Sequence, residues 1–399
     1  MSTTITDTGR DHLLLAMCAG VGPIRFAAMV ERFGGPAEAA RASTNELCEL
    51  KGVGRDTAEQ IVRSRDAARV DAEIAAAEEL GARIVCRADP EYPEGLRRIP
   101  DAPIVLYVKG ELRPTDAISV AIVGSRRCTI YGSEQARRFG ELLAQAGFTI
   151  VSGLARGIDA FAMHGAADVG GRAIAVMGNG LHEIYPPENR ALAEKLLERG
   201  AWMSELPLQT AARAENFPSR NRIIAGITLG TLVVEAAQRS GALITARLAT
   251  EYNREVFAVP GRVQDPMSFG TNGLIRDGAA KLVMTLEDVL DEFGELGRTL
   301  GRPTAAAETL FDSGAAASVG ASAGSDAGLG VDGAADAGLS SVERRVLDAM
   351  GSEPVLVSDV VSRLSDVSSG EVLAAFTSLE LRGLAARLPG QRVARRRRD

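Results

Sequence analysis

The sequence predicts an α/β protein with a doubly wound parallel sheet, a small helical domain before the sheet and a winged helix after it. Three observations predict this fold. Helical spacing of apolar residues dominates residues 10–80, and short apolar segments alternate with helical patterns over residues 103–293. Three more helical patterns and a hairpin then end the chain. Strands that alternate with helices are typical of parallel sheets, because parallel neighbours need long crossover connections.

The first domain, residues 1–85, is expected to consist of short helices. Two glycine turns, Ala19–Ile24 and Leu50–Arg55, each precede a helical pattern, as in helix-hairpin-helix and SAM-like modules. Amides in such turns can hold a phosphate, so the domain either contacts DNA or only packs as a small helical unit.

The central domain, residues 90–295, contains eight predicted strands and at least four helices. The strands are Ile104–Val108, Ile118–Val123, Thr149–Ser152, Ala173–Met177, Ala201–Glu205, Thr231–Glu235, Glu255–Val259 and Lys281–Met284. The helices are Gly132–Ala146, Asp159–Asp168, Glu188–Glu198 and Leu243–Tyr252. Since parallel strands carry ligand sites at their carboxyl ends, this domain is expected to hold the functional site.

Residues 296–339 are predicted to be a flexible linker. Ala, Gly or Ser occupies 24 of the 39 positions in residues 301–339, so this segment cannot bury enough apolar surface to offset its chain entropy. Residues 340–399 then predict a winged helix. Its expected elements are helices Ser341–Ala349, Val357–Leu364 and Ser369–Arg382, and hairpin strands Leu384–Leu388 and Gln391–Ala394. The closing run Arg395–Arg398 is either a solvated tail or a recognition element.

Composition excludes several classes of protein. The formal net charge of -7 argues against a surface that attracts polyanions everywhere, so any nucleic-acid site must be local. The four cysteines form no CxxC pair and have no histidines at zinc spacing, so we expect no disulfide framework and no metal. No apolar stretch approaches the length of a membrane span, and the protein is expected to be cytoplasmic, with no membrane partner.

Small residues and arginines follow successive predicted strands. Glycine lets backbone amides approach a ligand, serine adds a hydroxyl, and arginine adds a charge that suits phosphate. Because these turns share one edge of the sheet, they are expected to form a floor for phosphodiesters. The predicted residues are Gly124, Ser125, Arg126, Ser152, Gly153, Ala155, Gly157, Ile158, Asp159, Gly178 and Gly180.

Two later segments extend this predicted anion site. Arg220 and Arg222 flank Asn221 where a helix is expected to begin, so both guanidiniums should favour one anion; the alternative is salt bridging to Glu215 or Glu235. Tyr185 could stack on a base or be a half-buried core residue, and Arg190 could contact another phosphate.

Catalytic groups and cofactor motifs are scarce. The chain lacks GxGxxG and GxxxxGK[ST], which argues against a dinucleotide or a triphosphate. His164 and His182 have no metal partner at ligand spacing, and Asp159 is expected to cap its helix rather than act as a catalytic carboxylate. The protein is therefore predicted to be a non-enzyme without a cofactor.

Ordered motifs over about residues 90–290 closely resemble the DprA/Smf family of DNA-processing proteins. They are Ile122–Arg126, Val151–Asp159, Tyr185–Pro186, Phe217–Gly226, Ser240–Ala246, Val259–Gly261 and Gly270–Ile275. The resemblance implies an extended Rossmann-like core that binds single-stranded DNA, forms a homodimer and loads RecA recombinase in recombination or natural transformation. It also implies that the predicted anion-site residues contact the DNA.

Two alternatives remain open. Glu235 after a strand, with Gly241 nearby, loosely resembles the PGGxGTxxE element of Rossmann-like enzymes that hydrolyse nucleoside monophosphates, although that motif is absent in its proper order. The winged helix and its arginine tail could instead serve a transcriptional adaptor.

Overall fold

The computed structural model of the protein describes residues 5–300, 339–350, 355–364, 366–382, 384–388 and 392–395. Contacts divide the chain into two units, residues 1–292 and residues 293–399. Within the described ranges, no helix is long and apolar enough to cross a membrane, and no cluster of His, Cys, Asp or Glu could hold a metal ion. All four cysteines are unbridged.

Six helices open the first unit. They are α1 (Asp7–Ala16), α2 (Pro23–Phe33), α3 (Pro36–Arg41), α4 (Thr44–Cys48), α5 (Arg55–Arg63) and α6 (Ala67–Leu80). The two glycine turns precede α2 and α5, and Arg25 connects them by donating to the carbonyl oxygen of Gly20 and, at 3.4 Å, to that of Gly52. The carbonyl groups of both turns therefore already have a partner within this helical region.

A nine-stranded sheet forms the centre of the first unit. Its strands are β1 (Ala82–Cys86), β2 (Val105–Gly110), β3 (Ser119–Val123), β4 (Thr149–Ser152), β5 (Ala173–Val176), β6 (Ala201–Ser204), β7 (Gly230–Val233), β8 (Glu255–Ala258) and β9 (Lys281–Leu282). They lie in the order β1-β2-β6-β5-β4-β3-β7-β8-β9. From β6 to β9 neighbouring strands pair in parallel, with the register Val120↔Ile150 between β3 and β4 and Val120↔Gly230 between β3 and β7.

Helices connect and cover these strands. They are α7 (Glu94–Arg97), α8 (Ile130–Gln145), α9 (Ile158–Asp168), α10 (Arg190–Leu196), α11 (Asn216–Ile227), α12 (Gly241–Glu251), α13 (Phe269–Arg276) and α14 (Leu286–Glu292). Every residue of β3, β4 and β5 is buried, which explains why apolar residues predominate in these segments of the sequence. Glycine lets α8 and α9 pack closely, because a Cβ on Gly140 would overlap the carbonyl of Ala162.

The predicted fold class is confirmed, and the predicted strands and helices of the core agree with the structure to within two residues at each end. The sheet also contains an element that was not predicted. Residues 82–86, at the end of the predicted helical domain, form β1, which pairs antiparallel with β2. Strand β2 in turn pairs antiparallel with β6, so one edge of the sheet is antiparallel.

The second unit contains a winged helix, as predicted. Its elements are α15 (Glu295–Leu300), α16 (Ser341–Met350), β10 (Val355–Leu356), α17 (Val357–Arg363), α18 (Ser369–Leu381), β11 (Ala385–Leu388) and β12 (Arg392–Arg395). The strands lie in the order β10-β12-β11. Helix α15 occupies the start of the predicted linker; residues 301–338 of that linker and residues 396–398 of the arginine run lie outside the described residues.

Candidate functional site

The order in which the chain adds strands to the sheet reverses between β3 and β7. From β3 it proceeds through β4 and β5 to β6, and it then returns to β7, which lies on the other side of β3. The connections after β3 and β7 therefore diverge, and such a switch point leaves a crevice outside the carboxyl ends of the strands. We find a cleft of about 610 Å³ at this point.

The cleft is lined by the turns after β3, β4 and β7 and by the first turns of α11 and α12. Eight of the residues predicted from the sequence line it: Gly124, Ser125, Arg126, Ala155, Asp159, Tyr185, Arg220 and Asn221. The structure thus brings together half of the predicted residues, and most of the others lie behind this surface.

Arg126 provides an exposed positive charge in the cleft. Its guanidinium carbon lies 4.9 Å from the centroid of the Phe217 ring, and no ion pair of Arg126 is found among the described residues. The ring contact orients the guanidinium without neutralising it. Arg126 is therefore available to an anion.

The turn after β3 is held by its own hydrogen bonds. The amide of Ser125 donates to the carbonyl of Glu235 at 2.7 Å, and the Ser125 hydroxyl oxygen accepts from the amide of Arg127 at 3.1 Å. The predicted donation of the Ser125 hydroxyl to a ligand stays a prediction, because in these bonds the hydroxyl oxygen only accepts. The function of Ser125 in the structure is to shape the turn that presents Arg126.

The turn after β4 is largely buried and points inward. The Ser152 hydroxyl donates to the carbonyl of Ile122 at 2.6 Å, and the amide of Gly153 donates to Asp159 at 3.0 Å. Ile158 is buried, and its amide donates to the carbonyl of Ser125. The predicted direct contacts of these residues with a ligand are corrected to a supporting role, because their polar groups already have partners.

Two glycines of this region are required by close packing. Gly157 has φ of 73°, and a Cβ there would overlap the carbonyl of Ser125. Gly180 is buried, its amide donates to the carbonyl of Thr210 at 2.8 Å, and a Cβ would overlap the carbonyl of Leu208. The amide of Gly180 thus already has an internal partner, and the structure gives no support to its predicted contact with a ligand.

The part of the cleft wall that follows β5 and β6 is formed mainly by aromatic rings and not by the predicted backbone amides. Phe217, in the first turn of α11, lies against Gly178, and its ring centroid is 5.8 Å from that of Tyr185. Tyr185 is half-buried and lines the cleft. Arg190 is exposed at the start of α10 and is not among the described residues that line the cleft.

Arg220 is buried beneath the cleft rather than presented to a ligand. It donates to the carbonyl of Gly153 at 2.9 Å and to that of Val176. Burial lowers its pKa to about 10, and the positive charge of Arg126 adds to this effect, whereas Asp159 opposes it. Burial raises the pKa of Asp159, and the charge of Arg220 opposes that rise. The charge of each buried group thus offsets part of the effect of burial on the pKa of the other.

Arg222 does not reach the cleft. It forms ion pairs with Glu205 and, at 3.5 Å, with Asp101. Residues two apart on a helix do not share a face, so Arg220 and Arg222 cannot both turn toward one ligand once α11 begins at Asn216. The prediction of an Arg222 contact is corrected to an internal ion pair, with different partners from those considered in the sequence.

Among the lining residues that were not predicted, one carries an aromatic ring and one carries a positive charge. Phe217 lies within the recognised Phe217–Gly226 motif but received no function, and Arg239 follows β7. Arg239 is exposed, and no ion pair of it is found within the described ranges. Arg239 could have been predicted from the sequence, because an arginine soon after a strand was the criterion that selected Arg126.

Glu235, on which the enzymatic alternative depends, is buried and already bonded. Its carboxylate accepts from the amide of Thr129 at 2.8 Å and from the Thr129 hydroxyl at 2.7 Å. Thr129 in turn caps α8. The carboxylate therefore fixes the start of α8 in this structure.

Comparisons with known proteins agree with this architecture. The family model described as DNA recombination-mediator protein A matches residues 83–294, that of the DprA winged helix domain matches residues 332–391, and that of the SAM-like helix-hairpin-helix tandem matches residues 13–66. Protein Smf of Synechocystis sp. is 34% identical over 384 residues, which cover 94% of this chain and 96% of that protein. DNA processing protein DprA of Bacillus subtilis is 39% identical over 56% of this chain and 75% of its own length.

A solved structure shows the same fold. The X-ray structure of DNA processing protein A from Streptococcus pneumoniae matches with a TM-score of 0.63 and 33% identity. The match covers 72% of this chain and 98% of that one.

Proposed function

Because the chain belongs to the DNA recombination-mediator protein A (DprA/Smf) family, we propose that it binds single-stranded DNA in the cleft between β3 and β7 and hands the strand to RecA. The observation that carries this proposal is the exposed guanidinium of Arg126, which lies over the Phe217 ring and has no ion pair in the part of the chain that the structure describes. A cation beside half-buried aromatic rings that line a cleft suits a ligand that has both phosphates and accessible bases.

The cleft favours a single strand over a duplex. Its rings, Phe217 and Tyr185, can contact the face of a base only when that base is not stacked in a helix. The positive charge comes from a few local arginines in a protein with a net charge of -7, so contact with DNA depends on local positive surfaces such as this one.

The finer parts of the proposal depend on the family. We expect a homodimer that contacts RecA and acts in the cytoplasm without a cofactor, during recombination or natural transformation. This mediator function requires no catalytic group, and Glu235 is engaged in fixing Thr129.

The transcriptional alternative has less support. In a winged helix the third helix usually enters the major groove of a duplex. Here that helix is α18, in which the charged residues are Glu371 and Glu380 and which contains no lysine or arginine. Its sequence does not suit contact with the bases and phosphates of duplex DNA.

Replacing Arg126 by alanine is expected to weaken binding of single-stranded DNA by roughly tenfold, whatever the base sequence, because one charged contact to phosphate is lost. Titration with salt should show a slope reduced by about 0.7, the value for one phosphate contact in a single strand. Fluorescence anisotropy with labelled oligonucleotides measures both quantities.

Arg138→Ala is the matched control, since Arg138 is another exposed arginine of the same segment, located further along α8. It should leave the slope unchanged. If Arg126→Ala binds with the same affinity and slope as the unmodified protein, the assignment of the cleft as the DNA site is wrong.

A further inference from the structure

Two aromatic side chains are exposed beside the cleft but are not part of it. Tyr131, in the first turn of α8, and Phe269, the first residue of α13, each expose 45% of their surface. Large rings are usually buried in a folded protein, and exposed rings grouped at one place indicate a binding surface. Ile130 and Val263, at 79% and 82% exposure, extend the same region.

Hydrogen bonds connect these segments at the carboxyl edge of the sheet. The Tyr131 hydroxyl donates to the carbonyl of Pro260, just after β8, at 3.0 Å. The amide of Gly270, next to Phe269, donates to the carbonyl of Ala236 at 2.7 Å. Ala236 precedes Ala237, which lines the cleft. The surface that presents Tyr131 and Phe269 therefore adjoins the cleft.

The connection after β8 is held in a defined conformation. The side chain of Asn272 accepts from the amide of Gly261 and donates to its carbonyl, both at 3.1 Å. The carboxylate of Asp265 accepts from the amide of Met267 at 2.9 Å. Phe269 is thus presented from a segment whose backbone is fixed, so an incoming base does not need to order it.

Arginines accompany the rings. Arg127 and Arg262 are exposed, and no ion pair is found for either of them in the described part of the chain. The acids of these segments are Glu134, on the second turn of α8, and Asp265, whose carboxylate is bonded to a backbone amide. The buried Glu235 also lies near Tyr131, but its carboxylate is bonded to Thr129. Positive charge with exposed rings fits a polyanion that also offers flat apolar faces.

We propose that single-stranded DNA leaves the cleft across the carboxyl ends of β7 and β8, where Tyr131 and Phe269 each stack on a base and Arg262 contacts phosphate. The inference rests on the proposed function of the cleft, and it adds a second segment of the binding path. A short oligonucleotide fills only the cleft, whereas a longer one reaches the rings.

Binding of oligothymidylates of about 6 and about 15 nucleotides tests this path in the full-length protein. Tyr131→Ala and Phe269→Ala should each weaken binding of the longer strand by roughly fivefold or more, the effect of one lost stacking contact, and should leave the shorter strand unaffected. The salt slope of both variants should match that of the unmodified protein, because stacking neutralises no phosphate.

Two variants serve as controls, and a third tests the phosphate contact. Tyr131→Phe retains the ring and should bind the longer strand normally, although it loses the bond to Pro260. Val263→Ala removes exposed apolar surface from the same connection without a ring, and it should also bind normally. Arg262→Ala should lower the salt slope for the longer strand alone.

The possible failures are distinguishable. Normal binding of the longer strand by Tyr131→Ala and Phe269→Ala, or an equal loss for both strand lengths, would overturn the second segment while leaving the cleft intact. If the unmodified protein binds neither strand, the proposed function itself is wrong and the extension with it.

Discussion

Replacing Arg222 by alanine is expected to lower the free energy of unfolding by about 3 kcal/mol, because the variant leaves the Glu205 side chain, which is only 18% exposed, without its cation. Only 9% of the Arg222 side chain is exposed, and it also pairs with Asp101. Chemical denaturation of the full-length protein at neutral pH measures this loss. The result would distinguish a structural arginine from one that binds DNA.

The same variant is expected to show a characteristic pH dependence. Burial raises the pKa of Glu205, and Arg222 opposes that rise. Without Arg222 the pKa of Glu205 rises further above the ordinary value of about 4.3, so the folded variant holds a proton that the unfolded chain releases. The deficit in stability is therefore largest at neutral pH and shrinks as the pH falls toward about 4.

A double variant provides the control for this prediction. Arg222→Met combined with Glu205→Leu removes both charges and should recover most of the lost stability, since apolar groups can replace a buried ion pair. Normal stability of Arg222→Ala together with weaker DNA binding would contradict our structural assignment. With that result, Arg222 would be assigned to the DNA site.

Replacing Arg220 by methionine is expected to cost a similar amount, about 3 kcal/mol, and also to weaken DNA binding. The change leaves Asp159 buried without a nearby cation and removes the donors to the carbonyls of Gly153 and Val176. Those carbonyls belong to the ends of β4 and β5, beneath the cleft. Thermal or chemical unfolding and anisotropy of a labelled single strand measure the two effects.

Arg126→Ala is the matched control for Arg220→Met, because Arg126 is exposed and its loss should leave stability unchanged. Adding Asp159→Asn to Arg220→Met should restore part of the stability, since the amide oxygen can still accept from Gly153 while the buried charge is gone. An Arg220→Met protein as stable as the unmodified one would show that Asp159 does not depend on Arg220.

Most strands of the parallel core could be predicted because they are buried on both faces and are therefore rich in apolar residues; the short, partly exposed β9 is the exception. Strand β1 gave no such signal, because it follows α6 directly and belongs to the antiparallel edge of the sheet. Its place beside β2 depends on contacts with a strand about twenty residues further along the chain.

The burial of the predicted site residues is the main property that could not be predicted from the sequence. Arg220 and Arg222 appear in the sequence as two cations at the start of a helix, a pattern that favours an anion. The helix starts earlier, at Asn216, with Pro218 in its first turn, and its packing turns both arginines inward. By contrast, Arg126 lies in a tight turn between a strand and a helix, so its exposure could be expected.

Residue pattern alone was sufficient to place the strands, to assign the successive turns to one edge of the sheet and to recognise the family, because all three depend on local order along the chain. The choice of which arginine faces the cleft required the folded molecule. A guanidinium is compatible with phosphate, with a carboxylate or with strand-end carbonyls, and only its distance to groups remote in sequence selects among them. For Arg220 and Arg222 those groups are Asp159 and Glu205, brought close by the sheet and by α11.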